Sequence, residues 1–413
     1  VLPLYVPVSV LHVIFKEKEM LTVKQILTAF CLCSFLAVTN SCGQSHMKLP
    51  AETSPETINP TEAAMTETET AAVEDTTAVP TSDVETSAPE TTYIVEIPET
   101  PQTDVQNRTE AVTGSVTMLN NIMVVDSGTE YARALEIFSG SFSTGERYAQ
   151  ALNAYKAALG ETVNVFCMVI PTSAAFYMPD EQAAQYGSQL DNYNHIAENL
   201  NGVIAVPVYS VLEAHSGEYL YSRTDYHWQP LAAYYAAEQF ALSAGVDYAA
   251  LETYTSVTRE GYVGAFYAVN HVETLQNAPD TFTYYKPQNL DSLTCTYYDT
   301  DFTNPRQSTL FFENNSISAS YTVFVGRDDC ILQVDTDVDN DRVLVIFKDS
   351  YGNALVPFLT QSFSQIYLCD FRYFACDAAG FMREVGATDL LFAMSTVACT
   401  TSGKVEMVEE NLW

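Results

Sequence analysis

The stretch VLVIFKDSYGNALVPFL, residues 343–359, decides the fold. Its first five residues are apolar with no polar alternate, the pattern of a strand buried on both faces. At Lys348-Asp349-Ser350 the apolar run stops, and a helix is expected after residue 353. A buried strand that passes into a helix is the unit of an α/β sheet, and the turn lies at the strand's carboxyl end, where open sheets gather ligands. A serine N–H at that turn faces the space before a helix, a natural donor to a developing oxyanion. Asp349-Ser350 is equally a common helix-capping pair, and both readings stay open.

Outward from this stretch the same kind of run recurs in VNVFCMVI (163–170), VIAVPV (203–208), QIYLC (365–369) and DLLFAM (389–394). Helical patterns stand between them. STGERYAQALNAYKAALG (143–160) places Tyr148, Leu152, Tyr155 and Leu159 on one face, follows a Ser/Thr cap and stops at Gly160. PLAAYYAAEQFALSAG (230–245) opens with Pro230 in a first-turn position and ends at Gly245. Further helices are expected over 181–200 and in DAAGFMREVG (377–386). The alternation predicts an α/β domain over residues 115–413 whose central sheet is mainly parallel and covered by helices. Residues 250–335, richer in Tyr, Thr, Asn and Asp, read as an insertion or as substrate-facing loops.

A second segment carries chemistry. YSRTDYHWQPLAAYYA (221–236) sets Asp225 and His227 two residues apart, followed by Trp228, just before a helix. A serine hydroxyl is a weak nucleophile at neutral pH and needs an imidazole beside it; the imidazole needs an acceptor that fixes its tautomer. Asp225 and His227 supply both from one loop, if that loop meets Ser350. His195, His215 and His271 lack an acid at this spacing and read as structural or solvated.

Composition bounds the rest. The chain has 52 acidic against 18 basic residues and a net charge of −34, so nucleic acid is not expected as a partner. MLTVKQILTAFCLCSFLAVTNSC (20–42) has the layout of a secretory signal, and its T-N-S-C-G ending is similar to that of a bacterial lipoprotein, with Cys42 as the lipidated residue. Thr39 stands where such a signal usually has Leu, and an ordinary cleaved signal, which would leave the protein secreted, or an uncleaved anchor are the other readings. Residues 1–42 are thus read as a leader. Residues 43–114, rich in Thr, Glu and Pro, are read as a disordered acidic spacer that holds the domain off a membrane. The domain's six cysteines are scattered through apolar runs and are expected to be free and buried rather than paired. No spacing suggests a metal: Asp335-Thr336-Asp337-Val338-Asp339-Asn340 lacks the Gly and Glu of a calcium loop and reads as a solvated turn. No cofactor is expected.

The segments GEYLYSRTDYHWQPLAAYYA (217–236) and VLVIFKDSYGNALVPFLTQSFSQIYLCDFRYF (343–374), with FCMVIPTSAAFY (166–177) and YVGAFY (262–267), resemble the bacterial DHHW protein family. That family is similar to the SGNH-hydrolase-like domains of periplasmic alginate O-acetyltransferases, in which the D-x-H pair precedes the serine, as here. The family's D-H-H-W reads Asp225-Tyr226-His227-Trp228 in this chain, and the Tyr226 side chain is expected to point away from the D-x-H face. The resemblance implies a three-layer SGNH-hydrolase-like α/β domain with Ser350 as nucleophile, His227 as general base and Asp225 as its orienter. It implies O-acyltransferase or esterase chemistry on a cell-surface polysaccharide, with an acyl donor as co-substrate, in an extracytoplasmic protein. A degenerate hydrolase fold that only binds glycan or a partner protein is the competing reading. Arg372 is a candidate substrate clamp or the ion-pair partner of Asp370. Gly264 and Asn353 are candidates to complete the oxyanion hole. Trp228, with Tyr221, Tyr226, Tyr234, Tyr235 and Tyr351, forms either a sugar-stacking platform or core.

Overall fold

A computed structural model describes residues 93–108 and 110–412. The leader, Cys42 and most of the spacer lie outside the described residues. The strands are β1 (Val116–Leu119), β2 (Ile122–Val125), β3 (Arg133–Leu135), β4 (Asn164–Ile170), β5 (Ile204–Ala205), β6 (Thr255–Tyr262), β7 (Asp280–Lys286), β8 (Thr294–Tyr298), β9 (Arg306–Ser308), β10 (Ile331–Asp335), β11 (Val343–Lys348), β12 (Gln365–Asp370) and β13 (Asp389–Ser395).

Eight of them form one sheet in the order β5-β4-β13-β11-β12-β10-β8-β9. From β5 to β12 every pairing is parallel; β10, β8 and β9 then add on antiparallel. The apolar runs at 163–170, 342–347, 365–369 and 389–394 are the four central strands, and β4 and β13 are buried along their whole length. Their side chains alternate between two cores, as a pleated strand requires. Met168, Leu344, Ile346, Leu368 and Leu391 pack on the helix Pro230–Ala244. Val165, Cys167, Phe347, Cys369 and Phe392 pack on the helices Phe142–Leu159 and Ala378–Glu384. The protein is a mixed α/β fold with a large central sheet and helices on both faces.

The helix signals hold at their ends. The Ser141 hydroxyl accepts from Thr144 N–H at the start of Phe142–Leu159, and Gly160 follows its end; Gly245 closes the second long helix with φ 65°. Elsewhere the structure differs from expectation. The helix expected over 181–200 is two pieces, Asp180–Ala183 and Gln189–Glu198, because the Ser188 hydroxyl accepts from Asp191 N–H and begins a new helix. Of the run 203–208 only Ile204 and Ala205 pair. After β11 the chain enters a tight 3-10 turn, Ser350–Leu355, before one α turn at Val356–Leu359.

Two segment readings are corrected. Residues 93–108, assigned to the spacer, are fastened to the domain: Val95 N–H donates to Asn164 Oδ1 at 2.9 Å, Asp104 N–H to Asn194 Oδ1 at 2.7 Å, and Arg108 pairs with Asp180 at 2.7 Å. The ordered body thus begins before residue 115. Residues 250–335, read as an insertion or as substrate-facing loops, are not loops alone: they supply β8, β9 and β10 to the main sheet and form the β6–β7 hairpin. All six domain cysteines are free, five of them buried, as expected. Among the described residues no helix is long and apolar enough to cross a membrane.

Candidate active site

The turn after β11 is set by Asp349. Its carboxylate accepts from Tyr351 N–H at 3.1 Å, capping the 3-10 turn, and from Ser395 N–H at 2.9 Å, tying the turn to the end of β13. Burial pushes the Asp349 carboxyl up, against these hydrogen bonds. Ser350 then emerges half-buried on the wall of a cleft of about 340 Å3, shared with Glu136, Tyr226, Phe371, Arg372, Val397 and Lys404.

The D-x-H loop reaches this point because its own backbone is anchored. The Asp280 carboxylate accepts from the N–H groups of Arg223 and Thr224, both at 2.9 Å, and Arg133 donates to the carbonyls of Tyr221 and Ser222. The loop folds back so that Asp225 Oδ1 accepts from His227 N–H at 2.9 Å and lies 2.7 Å from His227 Nδ1. Asp225 Oδ2 accepts from Tyr262 Oη–H at 2.8 Å and Ala265 N–H at 2.7 Å. Burial would raise the pKa of Asp225, but His227 and these donors outweigh it and hold the carboxyl below its ordinary value.

The second ring nitrogen, His227 Nε2, lies 2.8 Å from Ser350 Oγ. With Nδ1–H donating to a carboxylate, Nε2 carries the lone pair and accepts from the serine hydroxyl; the tautomer follows from the network. The structure brings Asp225, His227 and Ser350 into one continuous hydrogen-bonded line. Among the described residues the Ser350 N–H finds no protein acceptor.

Other assignments change. Trp228 is fully buried, its indole N–H donating to Tyr351 O at 3.1 Å and Tyr321 Oη at 3.2 Å, so it is core and not a stacking surface. Asn353 is buried and donates to Asp328 Oδ1 at 2.8 Å; it does not line the cleft. Gly264 already donates its N–H to Thr224 Oγ1 at 2.9 Å. A Cβ there would sit 2.4 Å from Asp225, so glycine is needed for the close approach, not as an oxyanion donor. Tyr226 does not turn away: its ring lines the cleft, 4.2 Å between centroids from His227, and packs edge-on to Phe266.

Arg372 is the ion-pair partner of Asp370, the second of its two readings. It lines the cleft, yet Nε donates to Asp370 at 2.7 Å and a terminal nitrogen to Asp328 at 2.9 Å. Lys348, fully buried beneath, joins the same two acids at 2.7 and 2.8 Å. The four charges cancel, and Lys348, with its neighbours, holds Asp328 down to about 2 against burial. Asp328, Tyr262, Tyr321 and Glu136 were not singled out from the sequence. Three of them come from the 250–335 region, and Glu136 follows a three-residue strand with no motif around it.

The sequence matches the family model described as DHHW protein over residues 59–369. The chain belongs to the DHHW protein family. A solved DHHW family protein from Eubacterium siraeum is 42% identical, aligns over 73% of this chain and 99% of its own, and superposes with a TM-score of 0.69. Bacillus cereus PatB1, solved with a sulfonyl adduct, is 17% identical over 70% of this chain and 98% of its own, with a TM-score of 0.58, which shows a shared fold. The O-acetyltransferase domain of Pseudomonas putida AlgJ aligns at 14% identity over 70% of this chain and 98% of its own, but its TM-score of 0.39 is too low to argue from. A search of curated proteins found no match. The expected kinship with the DHHW family thus holds, with Tyr226 standing where the motif of this DHHW chain departs from its namesake.

Proposed function

We propose that this DHHW protein is an extracytoplasmic SGNH-like serine O-acyltransferase or carbohydrate esterase acting on a cell-surface polysaccharide. The observation that carries the reading is the 2.8 Å approach of His227 Nε2 to a Ser350 Oγ that opens on a cleft, with Asp225 2.7 Å behind the imidazole. That is the arrangement a serine nucleophile needs to attack an acyl carbonyl. PatB1 lends support through its fold and through the sulfonyl adduct it was solved with, since sulfonylating reagents capture nucleophiles.

In this reading Ser350 Oγ bonds to the carbonyl carbon of an acyl donor while His227 Nε2 takes the hydroxyl proton. Asp225 holds the resulting imidazolium. The Ser350 N–H, without a protein acceptor among the described residues, faces the oxyanion. Collapse breaks the bond to the donor's leaving group, which departs with the proton from His227, and leaves an acyl-Ser350 ester. A sugar hydroxyl, or water in the esterase case, then gives its proton to Nε2 and attacks the ester; the proton returns to Ser350. No cofactor or metal takes part in these steps. The substrate polysaccharide, the acyl donor and a membrane tether through Cys42 belong to the same proposal, with the tether resting on residues 20–42 of the sequence.

Turnover of p-nitrophenyl acetate by the wild type and by Ser350→Ala tests it. The account expects the variant to fall by about 10³-fold or more, to the level left by binding and oxyanion contacts alone. Equal turnover in both would return the fold to the binding role.

A further inference from the structure

Glu136 is a cleft residue that the proposed chemistry does not use. It follows β3, which is bolted to the D-x-H loop by a 2.9 Å bond from Ala134 N–H to Arg223 O, so its position is tied to that of Asp225. Its side chain is half-buried on the cleft wall that also holds Ser350, and no protein donor reaches its carboxylate among the described residues. A half-buried carboxylate without a donor is costly unless a ligand supplies one. Burial and the nearby Asp349 push the Glu136 carboxyl up, opposed by His227, which places it within electrostatic reach of both.

The charge balance around the cleft says which ligands suit. Arg372 and Lys348 are neutralised by Asp328 and Asp370. What remains on the wall is two carboxylates, Glu136 and Asp349, against the Lys404 ammonium on the helix Ser402–Glu410. Such a wall repels a ligand carboxylate and attracts hydroxyl or ammonium donors.

We propose that Glu136 is the specificity-determining residue of this cleft: it accepts a hydrogen bond from an acceptor sugar bearing hydroxyls or an ammonium, and it excludes sugars bearing a carboxylate. The assignment rests on the Ser350 cleft being where the acceptor binds. It narrows the acceptor from any surface glycan to neutral or amine-bearing ones.

Calorimetric titration of the full chain with methyl glucosaminide, methyl glucoside and methyl glucuronide tests this without requiring turnover. The wild type is expected to bind the glucosaminide at least about tenfold tighter than the glucuronide, the glucoside falling between. Glu136→Gln keeps the shape and removes the charge, and should narrow that ratio to about threefold or less; Glu136→Ala should do the same. The proposal is overturned if both variants keep the wild-type ratio, or if the wild type does not prefer the glucosaminide, the absence of any binding included. Because these are affinities, an unreactive Ser350 would sink the acyl-transfer reading alone, while an unaltered ratio with a reactive Ser350 would sink only the role of Glu136.

Discussion

The Tyr321 ring lies flat on the His227 imidazole, with 3.8 Å between centroids and 8° between planes. Tyr321 Oη–H points at the carbonyls of Ser350 and Tyr351, each 3.0 Å away, so one side chain braces His227 and the Ser350 turn together. The residue comes from the 3-10 segment Ile317–Val323, outside both chemistry-bearing segments, and is buried in the core that also holds Trp228.

Tyr321→Phe keeps the stack and loses the hydroxyl, and we expect kcat/KM for p-nitrophenyl acetate to fall by about fivefold, the worth of roughly 1 kcal/mol. Tyr321→Leu loses the stack as well, worth about 0.5–1.5 kcal/mol more, and should fall by at least about tenfold. A leucine variant as active as the phenylalanine variant would mean that the stack does not position His227.

Gly264→Ala adds a methyl group 2.4 Å from Asp225 Cβ and Oδ2. Asp225 must shift, and its 2.7 Å bond to Ala265 N–H goes with it. We expect a loss of about 1–3 kcal/mol in stability by urea unfolding, with activity falling further than stability alone accounts for, since the variant remains folded at 25 °C. Full activity in this variant would show that the orienting role of Asp225 tolerates movement.

Asp328 links stability to pH. Its carboxyl, held at about 2 by Lys348, Asn353 and Arg372 despite burial, lies below its ordinary value. A depressed carboxyl stabilises the fold above the unfolded pKa and loses that contribution as pH falls through the folded one. The window is therefore from about pH 4 down to about pH 2, and the contribution is on the order of 2 kcal/mol. Asp328→Asn should be less stable than wild type at pH 6 by roughly that amount or more, and the gap should close as both are acidified. Urea midpoints at pH 6 and pH 3 check it; a gap that stays constant contradicts the pairing.

The sheet was legible because each central strand is a run without polar alternates, which a surface helix cannot accommodate. The site was legible in part for the same reason: Ser350 sits where such a run ends, and Asp225 and His227 lie just before the Pro230 helix start. What was hidden is the support. Tyr262, Tyr321 and Asp328 act through contacts made across the fold, and nothing local marks them apart from the other tyrosines and acids of residues 250–335. The fastening of residues 93–108 was hidden too, because it uses backbone N–H groups and single polar side chains in a composition that reads as spacer. Trp228 and Asn353 misled for the converse reason: chemistry-bearing residue types beside the motifs proved to be core.

The central claim is that Ser350 is a nucleophile activated by His227. Treatment of the native chain with a fluorophosphonate probe, followed by peptide mapping, tests it most directly. The account predicts one modified peptide containing Ser350, with labelling abolished in Ser350→Ala and slowed at least about 100-fold in His227→Ala. No label on the native chain, or label that persists in Ser350→Ala, contradicts it.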